Sequence, residues 1–363
     1  MANRSTRRNR RKQKINLITN IIFSLITLSA LTGCIILILQ NYSLKNESQE
    51  VISRLEEYEE LQDKYIYTQE DLEAYSDEAA REALEQGRED AFADLKTAIV
   101  GSSSISETLR RFYPDDVVVY ADGGYNFFPI SDTLKKHDYV YDNFIQQEDG
   151  EIVYTDDVQM VQSLKGIDVS RHQGEINWRK VAGEDVSYAF IRAGYRGTTE
   201  GKLVEDEYFQ DNIEGALDNG IDVGVYFYTQ AMTEKEAQEE AEFVIKLIKK
   251  YDVTYPVVLD LEEVNGSART DQMTQEEYTK AAIAFCEKIK EAGYTPMIYG
   301  NLKTFMIMLD LEQLEDYEKW FAYYDTPVYF PYAFSIWQYS SKGSVNGIEG
   351  DVDLNICMKD FAQ

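Results

Sequence analysis

The stretch "YPVVLDLEEV", residues 255–264, runs five mostly apolar positions into three carboxylates within four residues. Side chains alternate along a strand, so Asp260 and Glu262 share one face and Glu263 takes the other. Two carboxylates facing one site repel, which raises the pKa of one and leaves the other ionised. Glycoside hydrolysis needs that split: a protonated acid for the leaving oxygen, and a carboxylate facing the positive charge that develops on the sugar. An exposed acidic strand end is the plain alternative, and the pair alone does not decide between the two.

The elements around the pair raise its weight. From Lys165 onward "GIDVS", "YAFIRAGY", "DVGVYFYT", "YPVVLDLE" and "TPMIYGN" are each followed by a helical stretch. "KWFAYY", "FSIWQYS" and "DVDLNICM" then follow with little helix between them. Alternating βα units predict an α/β fold with a parallel sheet, here closing as a barrel with an incomplete helical ring. In such barrels chemistry sits at the carboxyl ends of the strands. Those ends supply Asp168, Arg192, Tyr226, Tyr228, Tyr299, Asn301, Trp337, Gln338 and Asp353 as candidate substrate-binding residues. Rings stack on sugar faces, and carboxylates accept from hydroxyls. Core packing is the competing expectation for each ring, and the favoured one for Phe190 and Phe227.

These segments together resemble glycoside hydrolase family 25, the lysozymes of the N-acetylmuramidase type. The resemblance rests on "GIDVSRHQGEINW" (166–178), "AFIRAGY", "GVYFYT", "PVVLDLE", "PMIYGN", "WQYSSKG" (337–343) and "GIEGDVDLN" (347–355), in that order. It implies a flattened (β/α)5(β)3 TIM-like barrel over residues 165–363. It also implies hydrolysis of the β-1,4 bond between N-acetylmuramic acid and N-acetylglucosamine in peptidoglycan, with no cofactor. The family's acidic quartet falls on Asp168, Asp260, Glu262 and Asp353, and its general acid on Glu262. Asp260 then stabilises the oxocarbenium ion or positions the substrate's own 2-acetamido group. His172, inside "SRHQG", is expected at the mouth or in a turn, without catalytic duty. A non-hydrolytic peptidoglycan-binding module, acting as wall sensor or anchor, is the alternative function.

Composition limits the partners. The net charge is −29, yet residues 1–14 carry seven Lys and Arg and no acid, leaving −36 on the remainder. Such a body excludes nucleic acid as a partner. The three cysteines, Cys34, Cys286 and Cys357, form no CxxC pattern, and only two histidines exist, His137 and His172; no metal site is expected. Cys286 and Cys357 read as two buried thiols, with a disulfide as the alternative.

The remaining segments organise the chain. Residues 15–40 contain no charge and are long enough to cross a bilayer, directly after the basic block. The positive-inside rule puts 1–14 in the cytoplasm and everything beyond the span outside the cell membrane. "LTGC", residues 31–34, also resembles a lipoprotein processing site that would place a lipid on Cys34. Residues 41–100 read as a helical stalk with a heptad seam at Val51, Tyr58, Tyr65, Leu72 and Ala79, and a weak companion seam that includes Gln62. A homodimer through that stalk, a solvated single helix and two helices broken near Tyr67–Thr68 all fit it. Residues 101–164 form a small connecting region with short strands, to which no chemistry is assigned.

Overall fold

The computed structural model describes residues 2–64, 68–101, 104–264 and 266–362, and leaves the side chains of 2–15 and 62–64 outside its description. The basic side chains before residue 16, and Gln62 and Tyr65 of the heptad seams, therefore lie outside the described residues. The chain divides into two units, Met1–Thr97 and Ala98–Gln363.

The first unit holds helix α1 (Ala2–Lys64) and most of α2 (Gln69–Val100). The uncharged run leaves Leu17, Phe23, Leu28 and Leu37 largely exposed along α1. Asn16–Leu61 is long and apolar enough, by length and composition, to cross a membrane. The two helices are separate. Thr68 closes the start of α2 with a reciprocal cap, its hydroxyl accepting from Asp71 N (3.2 Å) while the Asp71 carboxylate accepts from Thr68 N (2.9 Å).

The second unit begins with α3 (Ile105–Phe112), capped by Ser104 accepting from Glu107 N. An antiparallel hairpin follows, β1 (Asp116–Ala121) and β2 (Gly124–Pro129), then a small sheet of β3 (Phe144–Gln146), β4 (Ile152–Asp156) and β5 (Val161–Gln162). Next come β6 (Leu164–Val169), α4 (Trp178–Val181), β7 (Tyr188–Arg196), β8 (Leu203–Glu205) and α5 (Phe209–Asp218). After these run β9 (Asp222–Tyr228), α6 (Glu234–Ile248), β10 (Val257–Asp260), α7 (Gln275–Glu291) and β11 (Pro296–Gly300). The chain ends with β12 (Glu318–Ala322), β13 (Ile336–Gly343) and β14 (Val352–Cys357).

Eight of these strands close on themselves in the order β6-β7-β9-β10-β11-β12-β13-β14 and back to β6, with β8 added outside on β7. The βα pattern predicts a parallel sheet, but β14 runs antiparallel to both β13 and β6. Only residues 344–351 join β13 to β14. A parallel crossover needs a dozen or more residues, so the chain turns straight back. Asp353 thus reaches the mouth from the beginning of its strand.

Inside the barrel, Tyr188, Phe190, Tyr255 and Trp320 form an aromatic floor, with Phe190 stacked on Trp320 at 4.5 Å and Tyr188 on Tyr255 at 4.6 Å. Two glycines make room for it. A Cβ on Gly166 would lie 2.1 Å from the Tyr188 ring, and one on Gly224 would lie 2.3 Å from Phe190. Cys286 and Cys357 are free and buried on different sides of the wall, in the outer and inner cores.

Residues 105–162 add to the cover over the outward faces of β12 and β13, alongside the helical turn 304–308 whose Phe305 packs on Phe321. Val117, Val119, Ile152 and Tyr154 join the outer core with Phe321 and Trp337. Tyr329 accepts from Val118 N (2.9 Å) and donates to Asp116 O (3.0 Å), while the Arg110 guanidinium lies 3.9 Å over its ring. The connecting region is therefore part of the barrel's own core. A chain truncated to begin at Lys165 should lose a cooperative calorimetric transition and aggregate, whereas one beginning at Ala98 should keep it. Equal melting of the two would mean that the covering contributes no stability.

Candidate active site

The alternation of strands sorts the mouth. Asp168 ends β6, Arg192 lies on β7, Tyr226 and Tyr228 on β9, Asp260 on β10, Tyr299 on β11, Gln338 on β13 and Asp353 on β14. All of them, with Glu262, line one cavity of about 450 Å³. Asp260 lies in register between Tyr228 and Tyr299, and Asp353 opposite Asp168. β10 stops at Asp260, so Glu262 projects from the following loop. Glu263 turns outward and pairs with Lys303 Nζ at 2.6 Å.

Two expected residues lie elsewhere. Trp337 is fully buried on the outer side of β13, stacked edge-on to Phe144, with its Nε1 donating to Tyr323 O (2.6 Å). It neighbours Gln338 along a strand, and adjacent residues cannot share a face. Asn301 follows the end of β11 and faces solvent, where its Oδ1 accepts from Lys303 N (2.9 Å) and Thr304 N (3.2 Å). It caps a turn.

The cavity also contains residues the sequence pattern did not single out: Ser170, Gln173, Trp320 and Tyr324, together with His172 at its exposed rim. Trp320 was legible from alternation in "KWFAYY", which puts it inward with Ala322. Tyr324 lies past its strand's end, where no period applies.

An amide network fixes Asp168. Its Oδ2 accepts from Gln338 Nε2 (2.9 Å) and Asn355 Nδ2 (2.8 Å). Asn355 in turn accepts from Trp320 Nε1 (2.8 Å), and Gln338 Oε1 accepts from the Tyr299 and Tyr324 hydroxyls at 2.8 Å each. Arg192 is held from behind, its Nε donating to the buried Asp206 carboxylate (2.7 Å). Among the described residues its buried Nη2 has no partner, and neither has Asp260 Oδ1.

The electrostatics depart from a simple split. Burial raises all four carboxyls. It holds Asp260 well above the usual range, reinforced by the charges of Glu262 and Asp168 and opposed by Arg192. It does the same to Asp168, reinforced by Asp353 and opposed by the Asn355 and Gln338 hydrogen bonds. Glu262 is raised by burial, against hydrogen-bond contacts with Tyr299 and Asp260. Asp353 is pushed up to about 6 by burial and then by the charge of Glu262. Where one raised and one ordinary carboxyl were expected, burial raises both Asp260 and Glu262, and the charge of Glu262 adds to the rise at Asp260. A raised carboxyl can deliver a proton to a leaving oxygen and leave negative charge behind. Among the described residues, no group of three or more His, Cys, Asp or Glu side chains is arranged to hold a metal ion.

The profile of glycosyl hydrolases family 25 matches residues 167–348, which encloses Asp168, Asp260 and Glu262 and stops short of Asp353. The chain is 30% identical over 202 residues to the uncharacterized protein YegX of Escherichia coli K12, covering 53% of this chain and 69% of YegX. It is 26% identical over 193 residues to the autolytic lysozyme of Clostridium acetobutylicum, covering 53% and 55%. The solved modular autolysin LytC of Streptococcus pneumoniae aligns with TM-score 0.49 and 25% identity, over 66% of this chain and 57% of that one. The chain thus spans little more than half the length of these last two. It belongs to glycosyl hydrolases family 25 and is a glycoside hydrolase.

The raised carboxyls set a sign for stability. A carboxyl whose folded pKa exceeds its unfolded value binds protons more tightly when folded, so its contribution falls as pH rises from about 4 through the folded value. For Asp353 that window ends near 6. Asp353→Asn should therefore raise the melting temperature more at pH 7.5 than at pH 5, by on the order of a few °C. Calorimetry at the two pH values checks this, and equal shifts would place Asp353 in a solvated setting.

Proposed function

We propose that the chain is a membrane-tethered muramidase that cleaves the β-1,4 bond between N-acetylmuramic acid and N-acetylglucosamine in peptidoglycan, for remodelling of the wall. The observation that carries the reading is the convergence of four carboxyls on one cavity in a member of this hydrolase family. The fold reads as the flattened (β/α)5(β)3 variant of the barrel. Glu262 is the general acid: its proton passes to the glycosidic oxygen as the bond to the sugar's anomeric carbon breaks. Asp260 faces the positive charge that then develops, directly or by orienting the substrate's acetamido group. Burial raises Glu262, which favours the protonated form a general acid needs. Water then adds hydroxide to the anomeric carbon, and its proton restores the acid. Asp168, Asp353, Arg192, Tyr226, Tyr228, Tyr299 and Gln338 bind the sugars. The unpartnered Nη2 of Arg192 and the ring of Tyr228 offer one charged and one apolar contact.

Full-length protein in detergent, given purified walls, should release reducing ends and clear turbidity. Glu262→Gln should lower turnover by about 10²–10⁴-fold with the fold unchanged. Glu263→Gln should matter far less. Asp260→Asn should also lower turnover strongly and flatten the acidic limb of the pH–rate profile, because no second proton can then join the pair. Wall binding by the parent without new reducing ends would favour a non-hydrolytic module.

We further infer that residues 15–40 anchor the chain in the cell membrane with the basic tail inside, and that residues 41–100 are a stalk carrying residues 101–363 outside. The uncharged run, its basic flank and the long exposed helix support this. The protein should stay with membranes through high-salt washing and leave only with detergent. Protease added to wall-stripped cells should remove the second unit. Cys34→Ala should change neither result; accumulation of an unprocessed precursor in that variant would instead establish a lipid anchor. A second unit protected from protease would overturn the topology.

A further inference from the structure

The β1–β2 hairpin lies outside the segment that matches the family, yet it reaches the same end of the barrel as the cavity. Its turn is Asp122–Gly123, both at positive φ, as a two-residue hairpin turn requires. Asp122 Oδ1 accepts from Lys303 Nζ at 2.7 Å, and the same ammonium donates to Glu263 Oε1 at 2.6 Å. Lys303 itself is largely covered, with 17% of its side chain exposed. One cation thus ties the hairpin's tip to the residue that follows Glu262.

The hairpin's two faces differ. Val117, Val119 and Ala121 are buried in the outer core. The other face carries the opposed pair Tyr120 and Tyr125, with ring centroids 4.9 Å apart, next to the tip. Farther along lies Phe127, 4.7 Å from Tyr113. Tyr120 remains 59% exposed, Tyr113 47% and Phe127 40%. A cross-strand aromatic pair stabilises a hairpin, but that role needs one pair and does not need the rings left in water. Three rings of the hairpin and the neighbouring Tyr113 form an apolar strip with hydroxyls at its edges, on a chain of net charge −29.

We propose that this face is a second glycan-contact platform, continuous with the cavity through the Asp122–Lys303–Glu263 bridge, on which Tyr120, Tyr125 and Phe127 stack against sugar rings of a strand beyond the cleaved bond. The inference rests on the glycan-cleaving function proposed above. A polymeric substrate must extend beyond the cavity, and the hairpin tip is tied through Lys303 to Glu263, the residue next to Glu262. Stacking suits an acidic body, because pyranose C–H faces are neutral and need no cation.

The test uses full-length protein in detergent with two substrates: long glycan strands freed of their peptides, and a tetrasaccharide of the same repeat. The double substitution Tyr120→Ala and Tyr125→Ala should raise KM on long strands about ten-fold. It should leave kcat, and both constants on the tetrasaccharide, near the parent values. Tyr120→Phe with Tyr125→Phe should restore most of the affinity, since the rings remain. An unchanged KM on long strands overturns the platform, as does an equal rise on both substrates, which would place the effect in the cavity. If the parent hydrolyses neither substrate, the muramidase reading fails by itself. Co-sedimentation with the long strands then decides the platform: loss of binding in the alanine variant supports it, and undiminished binding overturns it. A concentration-dependent dimer abolished by the alanine pair would assign the face to a second copy and overturn the glycan reading.

Discussion

Taking carboxylates out of water is the constraint on which the rest of the second unit depends. Asp168 and Asp260 are each 6% exposed, and Glu262 and Asp353 stand half-buried beside them. Among the described residues Arg192 is the single lysine or arginine lining the cavity. Four full charges there would cost several kcal/mol each without compensation. The protein answers with protons and with hydrogen bonds. Asp168 takes two amide donors, and those amides are aligned by Trp320, Tyr299 and Tyr324. Burial pushes Asp260 and Glu262 toward their protonated forms. The dry aromatic floor beneath keeps solvent out from below and so sustains the raised pKa values that proton delivery requires.

That floor constrains the wall in turn. Broad rings inside the barrel demand glycines opposite them, which is why Gly166 and Gly224 interrupt otherwise β-rich strands. The wall's outer face must also be dry. Over β7 to β11 helices contribute to this, and over β12 and β13 the hairpin, the small sheet and α3 join the turn that carries Phe305. The same residues thus cover the core and bring the hairpin tip to the mouth.

Much of this was legible in the sequence, and the failures have physical reasons. All eight β-rich runs became barrel strands, because a strand buried on both faces reads as a nearly continuous apolar run. Alternation sent Asp260 and Glu262 to one side and Glu263 to the other. The same rule, applied to "FSIWQYS", excludes Trp337 once Gln338 is chosen; a preference for rings at sugar sites hid that. Asn301 and Tyr324 lie beyond strand ends, where the two-residue period no longer fixes direction. The reversal of β14 depends on loop length, which the βα pattern does not encode. The role of residues 105–162 was invisible because they cover the barrel through contacts some 200 positions away, such as Tyr329 with Asp116 and Val118.

Glu262 poses a last question of precision, since it stands on a loop and not on a strand. Loops move, and a misplaced acid loses much of its effect. The backbone just before it is pinned, and side-chain pairs hold the segment beyond. Upstream, Asp260 O accepts from Thr229 N (3.0 Å), Leu261 N donates to Tyr299 O (3.3 Å), and Leu261 O accepts from Thr304 Oγ1 (3.1 Å). Downstream, Glu263 is clamped by Lys303. Farther on, Arg269 pairs with Glu236 at 2.7 Å, and its backbone N donates to Thr198 O (2.9 Å). Glu236 is tied to the same corner by a backbone bond, because its O accepts from Arg196, whose Nε meets the fully buried Glu240 at 2.7 Å. Glu240 completes the corner by accepting from Thr229 Oγ1 (2.6 Å), so β7, β9, α6 and the loop after β10 share one buried network. The strand and the bonds at Asp260 and Leu261 thus fix the point from which Glu262 departs, so its carboxyl is aimed over the cavity from a seat set by β9, β11 and Thr304.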